Sequence, residues 1–409
     1  MSGPLDTALK ARANAVIPGG MYGHQATGLL PDTAPQFFTR AEGAYLWDTD
    51  GARYIDFMCG YGPNLLGYGH REIDAAFTSQ LAVIDAATGP SPVMVELAEA
   101  FTGMIDHADW AMFCKNGTDA SSMALMVARA YAGRRKIIFA KDAYHGAAPW
   151  CTPLPAGTVA DDRAHFIYCE YNNAESLAEA VEAAGDDLAA IFCAPFKHDV
   201  LVDQELPEPA YARLARQVCD AKDALLVVDD IRAGFRLDRD CSWHALGVAP
   251  DLSLWGKAIA NGHPISALLG NDRAREAASK VFVTGSFWFA AAPMAASLKT
   301  LELLRTTNYL EHTVALGTRL RDGLASLAKT QGLPLSQTGP VQMPLIMFDG
   351  EGAKDLALGG AFVDAMLRQG IYFHTFHNMF IGAAMTEGDI DQALDAAERA
   401  MNGLPALAA

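Results

Sequence analysis

Short apolar segments, each bounded by turn residues, recur through the middle of the chain. They have the length and composition of strands that are buried on both faces. We predict such strands at residues 111–114, 136–140, 189–193, 224–228, 252–255 and 265–269.

Apolar residues at helical spacing separate several of these strands. The clearest case follows the first strand, and its apolar positions are Met123, Met126, Val127, Ala130 and Tyr131, with Gly133 placed to end the helix. The alternation of strands and helices predicts an α/β fold with a mostly parallel sheet covered on both faces.

The pattern changes near residue 300. Longer helical patterns at residues 301–304 and 312–327 are followed by strand-like segments at residues 343–347 and 371–373. Because 409 residues exceed what one core usually serves, we expect a large domain with a smaller companion.

Composition and charge narrow the range of partners. A formal net charge of −17 opposes binding to nucleic acid or to an anionic membrane, because either needs a basic surface. No apolar run approaches the ~18 residues of a membrane helix. The seven cysteines include no C-x-x-C pair, which argues against a disulfide framework or a zinc site. We therefore expect a cytoplasmic protein with small-molecule partners and no metal.

The first segment with chemical potential is the turn that follows the strand at residues 111–114. Gly117 permits close approach of the backbone, Thr118 adds a hydroxyl, and the next helix presents free N–H groups to an anion. This is a candidate phosphate site. The same residues are equally typical of an ordinary capped turn, so this segment alone leaves both interpretations open.

The second segment is an apolar strand that ends in Asp229 and Asp230. Sheets of this class bind ligands at the carboxyl ends of their strands. A carboxylate there can keep a pyridine nitrogen protonated, which makes pyridoxal 5′-phosphate (PLP) an effective electron sink. The alternatives are a loop cap and a metal ligand.

The third segment places Lys257 directly after a strand and Gly256. Because no acidic residue is its neighbour in sequence, we expect this lysine to be partly desolvated. Desolvation lowers the pKa of the amine and makes it a better nucleophile toward carbonyl groups. A lone lysine is more often a solvated surface residue, so this interpretation depends on the other two segments.

The order and spacing of the three segments resemble those of the class III aminotransferases, especially the glutamate-1-semialdehyde aminomutase branch. The resemblance covers nearly the whole chain and includes residues 17–20, 40–43, 47–51, 61–63, 144–146 and 339. It implies the PLP-dependent transferase fold type I. On that fold, residues 66–300 form a large domain with a mostly parallel seven-stranded sheet. Residues 301–409, together with the N-terminal segment 1–65, form a smaller α+β domain.

The same resemblance implies roles for individual residues. Lys257 holds PLP as an imine and moves protons, and Asp229 pairs with the pyridine nitrogen. The other implied cofactor-binding residues are Gly117, Thr118, Tyr144, Ile231 and Ser286 of the partner subunit. Because that serine crosses between chains, the resemblance implies a homodimer with shared active sites.

Departures from the family pattern bear on the substrate. Ala26 stands where the aminomutase branch has an arginine for the substrate carboxylate. A carboxylate without its charged, bidentate partner binds poorly. This disfavours a 2,1-aminomutase, and likewise a β-amino-acid aminotransferase, which remain the alternatives.

Other departures resemble the family branch that deaminates hydrolysed fumonisin, a long-chain aminopolyol. They lie at residues 21–24, 114–117, 229–236, 287–289 and 376–379. This resemblance implies amino-group transfer from a long-chain or apolar amine to a keto acid, with pyruvate as the expected acceptor.

Seven residues are candidates for substrate contact: Tyr22, His24, Arg40, Tyr61, Arg232, Phe287 and Trp288. Further cations that could meet the acceptor carboxylate are Lys197, His374 and His377. Two alternatives stay open. Arg232 could instead pair with Asp230, and the aromatic residues could instead fill a dimer interface.

Overall fold

The computed structural model describes residues 3–31, 33–154 and 156–404. They form two compact units. The first comprises the described residues of Met1–His70, Val200–Val202 and Glu311–Ala409, and the second those of Arg71–Asp199 and Asp203–Leu310. These limits lie somewhat beyond residues 65 and 300, where we divided the sequence.

The strands are β1 (Phe38–Glu42), β2 (Tyr45–Asp48), β3 (Arg53–Asp56), β4 (Trp110–Cys114), β5 (Lys136–Ala140), β6 (Phe166–Cys169), β7 (Leu188–Cys193), β8 (Leu225–Asp229), β9 (Leu252–Trp255), β10 (Ser266–Gly270), β11 (Leu335–Thr338), β12 (Leu345–Phe348) and β13 (Ile371–Tyr372). The helices are α1 (Pro4–Val16), α2 (Arg71–Leu81), α3 (Val93–Thr102), α4 (Gly117–Ala132), α5 (Ala174–Ala184), α6 (Pro209–Lys222), α7 (Asp272–Lys280), α8 (Ala291–Thr306), α9 (Tyr309–Gln331), α10 (Leu356–Leu367) and α11 (Glu387–Asn402).

The second unit contains a seven-stranded sheet in the order β4-β10-β9-β8-β7-β5-β6. Strand β10 runs antiparallel to β4 and β9, and the other pairs are parallel. The predicted α/β class and mostly parallel seven-stranded sheet are thus confirmed. We did not predict β6, because this edge strand mixes buried and exposed residues and lacks a continuous apolar run.

Helix α4 connects β4 to the rest of this sheet and illustrates how the local sequence sets an element. Asn116 caps it by accepting a hydrogen bond from the backbone N–H of Asp119, whose side chain returns the contact. Gly133 ends it in the left-handed conformation, with a φ of 62°. Met123 and Val127 are buried against the sheet, whereas Met126, which we assigned to the same face, is exposed.

The first unit has a four-stranded sheet, β1-β2-β3-β13, and a two-stranded sheet, β11-β12. Strand β13 lies parallel to β3, pairing Ile371 with Ile55 across a long stretch of sequence. The predicted segments at 343–347 and 371–373 correspond to β12 and β13. We did not predict β1, which is mostly exposed, the half-buried β11, or the short strands β2 and β3.

Within the described residues, every helix is too short or too polar to cross a bilayer. All seven cysteines are buried thiols rather than disulfides.

Candidate active site

Lys257 lies at the carboxyl end of β9, where the chain leaves the sheet through Gly256. A side chain at position 256 would meet the hydroxyl of Ser266, since a Cβ atom there would lie 2.8 Å from its Oγ. Lys257 itself has a φ of 47°, in the left-handed region that a residue with a side chain rarely occupies. Such conformations cluster at functional sites because the surrounding structure must enforce them.

The surroundings of Lys257 favour its neutral form. Burial, the largest cause, and the positive charge of Arg232 together lower the pKa of the amine to about 7, while Asp229 opposes the shift. A neutral amine is the nucleophilic form of lysine. The lysine is therefore ready to attack a carbonyl group near neutral pH.

Asp229 is the last residue of β8, and its buried carboxylate makes two hydrogen bonds. Its Oδ2 lies 2.7 Å from Nδ1 of His145, and its Oδ1 accepts a hydrogen bond of 3.2 Å from the backbone N–H of Ile231. Because an ionised carboxylate can only accept, the imidazole carries its proton on Nδ1. His145 thus orients the carboxylate, a role that we did not assign from the sequence. In the sequence, the only indication of a role for His145 was its position next to Tyr144.

The candidate phosphate site is the start of α4. The helix begins at Gly117, and the first backbone N–H groups of a helix have no partner inside it. The hydroxyl of Thr118 accepts a hydrogen bond of 3.0 Å from the backbone N–H of Ala147. Gly146 packs directly on this threonine, since a Cβ there would lie 2.8 Å from its Oγ1. The helix start and the loop that contains Tyr144 are thus fixed together.

Ile231 connects the three segments. A Cβ at Gly117 would lie 2.7 Å from Cδ1 of Ile231, and one at Gly256 would lie 3.5 Å from Cγ2. The backbone N–H of Ile231 also binds Asp229. The structure therefore brings the predicted helix start, aspartate strand and lysine turn together within the second unit.

This donor set fits PLP. The neutral amine of Lys257 matches the cofactor's aldehyde, the buried Asp229 matches its pyridine nitrogen, and the first N–H groups of α4 match its phosphate. Burial raises the pKa of Tyr144, which keeps its hydroxyl protonated.

Arg232 is a buried cation beside these groups. Burial lowers the pKa of its guanidinium to about 10, while the nearby carboxylates of Asp229 and Asp199 oppose that shift. The carboxylate of Asp230 accepts hydrogen bonds from the backbone N–H and the hydroxyl of Ser242.

Three of the predicted site residues, Ser286, Phe287 and Trp288, lie in the segment before α8. Ser286 is exposed, and Phe287 has 67% of its surface accessible. Trp288 instead packs against the core of its own unit.

The remaining substrate candidates lie in the first unit. Tyr22 is exposed, and the side chain of His24 lies outside the described structure. Arg40 forms an ion pair with Glu42 and stacks 4.3 Å above the ring of Trp47.

Tyr61 occupies a more enclosed position in that unit, where its hydroxyl accepts a 2.6 Å hydrogen bond from the side-chain amide of Gln25. Among the acceptor-binding candidates, Lys197 of the second unit pairs with Glu205 at 2.8 Å.

Comparison with known proteins identifies the family. Residues 31–401 match the family described as aminotransferase class-III. The aminopentol aminotransferase of Sphingopyxis macrogoltabida is 56% identical over 97% of this chain and 93% of its own length. The glutamate-1-semialdehyde 2,1-aminomutase of Heliobacterium modesticaldum is 31% identical over 96% of this chain and 95% of its own.

A solved structure gives the same result. The FumI protein of Sphingopyxis sp. MTA144, in its PLP internal aldimine form, superposes with a TM-score of 0.96 and 54% identity over 99% of both chains. The chain is therefore a class III aminotransferase, an enzyme whose cofactor is pyridoxal 5′-phosphate.

Proposed function

We propose that this enzyme moves an amino group from a long-chain or apolar amine, such as an aminopolyol, to a keto acid, with pyruvate as the acceptor. The observation that carries the choice of donor is the 56% identity to an aminopentol aminotransferase over nearly the whole chain. Ala26 agrees with it, because a donor without a carboxylate needs no arginine at that position.

The residues of the second unit would divide the work. When bound, PLP withdraws electrons from the substrate carbon that loses a proton. Lys257, with its lowered pKa, would take that proton and return it. Asp229, oriented by His145, would keep the pyridine nitrogen protonated. The backbone N–H groups of Gly117 and Thr118 would hold the phosphate, and Tyr144 and Ile231 would contact the two ring faces.

We further propose a homodimer with shared active sites. Four exposed apolar residues lie on two segments of the second unit, Val83 and Ile84 on one and Phe282 and Phe287 on the other, and we call these four residues the apolar patch. Asp85 joins its two segments by accepting hydrogen bonds from the backbone of Ala291 and Ala292, at 3.4 and 2.9 Å. Exposed apolar surface of this kind is typical of protein interfaces. Ser286 lies between these aromatic residues in sequence, which suits its proposed role in the partner's site.

We also propose a cytoplasmic location, because seven buried thiols without disulfides are typical of a reducing compartment.

The visible absorption of the bound cofactor tests the reaction. A long-chain amine without a carboxylate should bleach the band of the purified enzyme, and pyruvate should restore it. Lys257→Ala should show neither change. If only a semialdehyde or an amino acid bleaches the band, the proposed donor is wrong. If the band recovers without any keto acid, the isomerase alternative is favoured.

A further inference from the structure

The turn that begins at Lys257 has an unusual backbone. Lys257 and Asn261, at its two ends, have φ values of 47° and 45°, in the left-handed region that is unfavourable for residues with side chains. The three residues between them, Ala258, Ile259 and Ala260, are buried. Strain of this kind persists only where neighbouring contacts enforce it, so the contacts of this turn determine how Lys257 is held.

Ile259 connects the turn to its surroundings. Its backbone N–H donates a hydrogen bond of 3.2 Å to the carbonyl oxygen of Gly256, and this bond spans Lys257. Its own carbonyl oxygen accepts a 2.8 Å hydrogen bond from the hydroxyl of Ser297, which lies in α8. Both backbone groups of Ile259 are therefore engaged, one with the residue before Lys257 and the other with α8.

Ser297 departs from the apolar pattern of its helix. The buried positions of α8 are mostly alanine, methionine and leucine, yet Ser297 has no accessible surface. A serine or threonine inside a helix often donates to the carbonyl oxygen four residues earlier, as Thr300 does to Ala296 at 2.8 Å. A hydroxyl has one proton to donate, and Ser297 donates it to the lysine turn instead.

Helix α2 holds the segment that follows the turn. The ring of His263 stacks on that of Phe77 at a centroid distance of 4.3 Å, and its Nε2 lies 3.1 Å from a carboxylate oxygen of Asp74. The backbone N–H of His263 donates to the carbonyl oxygen of Ala260 at 3.1 Å. The chain is thus attached to α2 beyond the turn and to α8 within it, and all of these residues belong to the second unit.

The position of the Lys257 amine matters because a misplacement of about 1 Å can slow a reaction roughly 100-fold. Without the hydroxyl of Ser297, the carbonyl oxygen of Ile259 would be a buried acceptor that loses its donor, which favours rearrangement of the turn. We propose that Ser297 is a positioning residue that acts through Ile259 and keeps the amine of Lys257 buried and directed at the cofactor. This inference rests on the proposed role of Lys257 and adds the residue that holds it in place.

Two measurements on the full-chain apoprotein test the proposal. The first is the pH midpoint for acetylation of Lys257 by acetic anhydride, read by peptide mass spectrometry, and the second is the rate at which the visible band appears after PLP is added. In Ser297→Ala we expect the midpoint to rise from near 7 toward about 10.4, because the released amine is more hydrated. The rate should fall roughly 10-fold, as expected for the loss of one buried hydrogen bond. Ser297→Cys keeps the side chain small but donates weakly, and it should move both quantities in the same direction.

Thr300→Val is the matched control, because it removes a buried hydroxyl of the same helix that bonds only to the helix itself. It should leave the midpoint and the rate unchanged. Wild-type values of both quantities in Ser297→Ala, or the same changes in Thr300→Val, would overturn the positioning role. Borohydride reduction of the wild-type holoenzyme, followed by peptide mass spectrometry, locates the cofactor. PLP on a lysine other than Lys257 would instead overturn the role of Lys257 in the proposed function.

Discussion

A lysine acts as a nucleophile near neutral pH only where its surroundings disfavour the ammonium form. Lys257 meets this condition in two ways: it is withdrawn from water, and Arg232 adds a second positive charge nearby. The sequence indicates the first through the strand and glycine before the lysine. It does not indicate the second, because the contribution of Arg232 depends on how the two strand ends lie in the sheet.

The pKa of Lys257 can be measured directly in the apoprotein. We expect acetylation of this amine by acetic anhydride, followed by peptide mass spectrometry, to rise with pH around a midpoint near 7. The sign follows from the lowered pKa, because the amine is protonated and unreactive below that value and neutral above it. In denaturant the midpoint should return to about 10.4. The same midpoint in both states would contradict the proposed environment.

His145 should matter to catalysis through Asp229 alone. His145→Phe retains a flat ring but removes the donor that lies 2.7 Å from the carboxylate. A hydrogen bond to a charged group contributes about 1.5–3 kcal/mol, so we expect kcat to fall roughly 10- to 150-fold at saturating PLP. Steady-state kinetics measure this. His244→Phe, at a half-exposed histidine of the same unit, serves as control, and a wild-type rate for His145→Phe would rule out the orienting role.

At the scale of elements, the sequence predicts what short-range patterns determine. Strands β4, β5, β7, β8, β9 and β10 are mostly apolar, and Gly133 marks the end of α4. Sheet order and the pairing of β3 with β13 join residues that are distant in sequence, so local patterns do not contain them. The three segments that meet at Ile231 were recognisable from short-range patterns, as the strands were, whereas the contact of His145 with Asp229 became visible only in the structure.

The two glycines at the ends of α4 should respond differently to substitution. Gly117→Ala would place a methyl group 2.7 Å from Ile231, so we expect weaker PLP binding. Gly133→Ala meets open space, but its φ of 62° is unfavourable for alanine and should cost about 1 kcal/mol of stability. Fluorescence titration with PLP and thermal melting separate these effects. Equal PLP affinity in both variants would exclude Gly117 from the cofactor site.

At the scale of the whole molecule, the apolar patch is exposed to solvent in a single chain. Phe282 and Phe287 keep 86% and 67% of their surface accessible, although each would bury a large apolar area in an interface. An interface between two identical chains brings the same patch together from both. The patch would thus be buried by a second copy, with Ser286 carried into the partner's site.

Dimer formation and cofactor binding should therefore be lost together. We expect Phe287→Glu to shift sedimentation from dimer to monomer, because a charge buried in an apolar interface without a partner is strongly unfavourable. The same variant should bind PLP more weakly, since each site would lose Ser286 of the partner subunit. Val159→Glu, at a residue exposed to a similar degree, should leave both properties unchanged. A Phe287→Glu dimer would exclude the patch as the interface, and a monomer with full PLP affinity would show that each chain completes its own site.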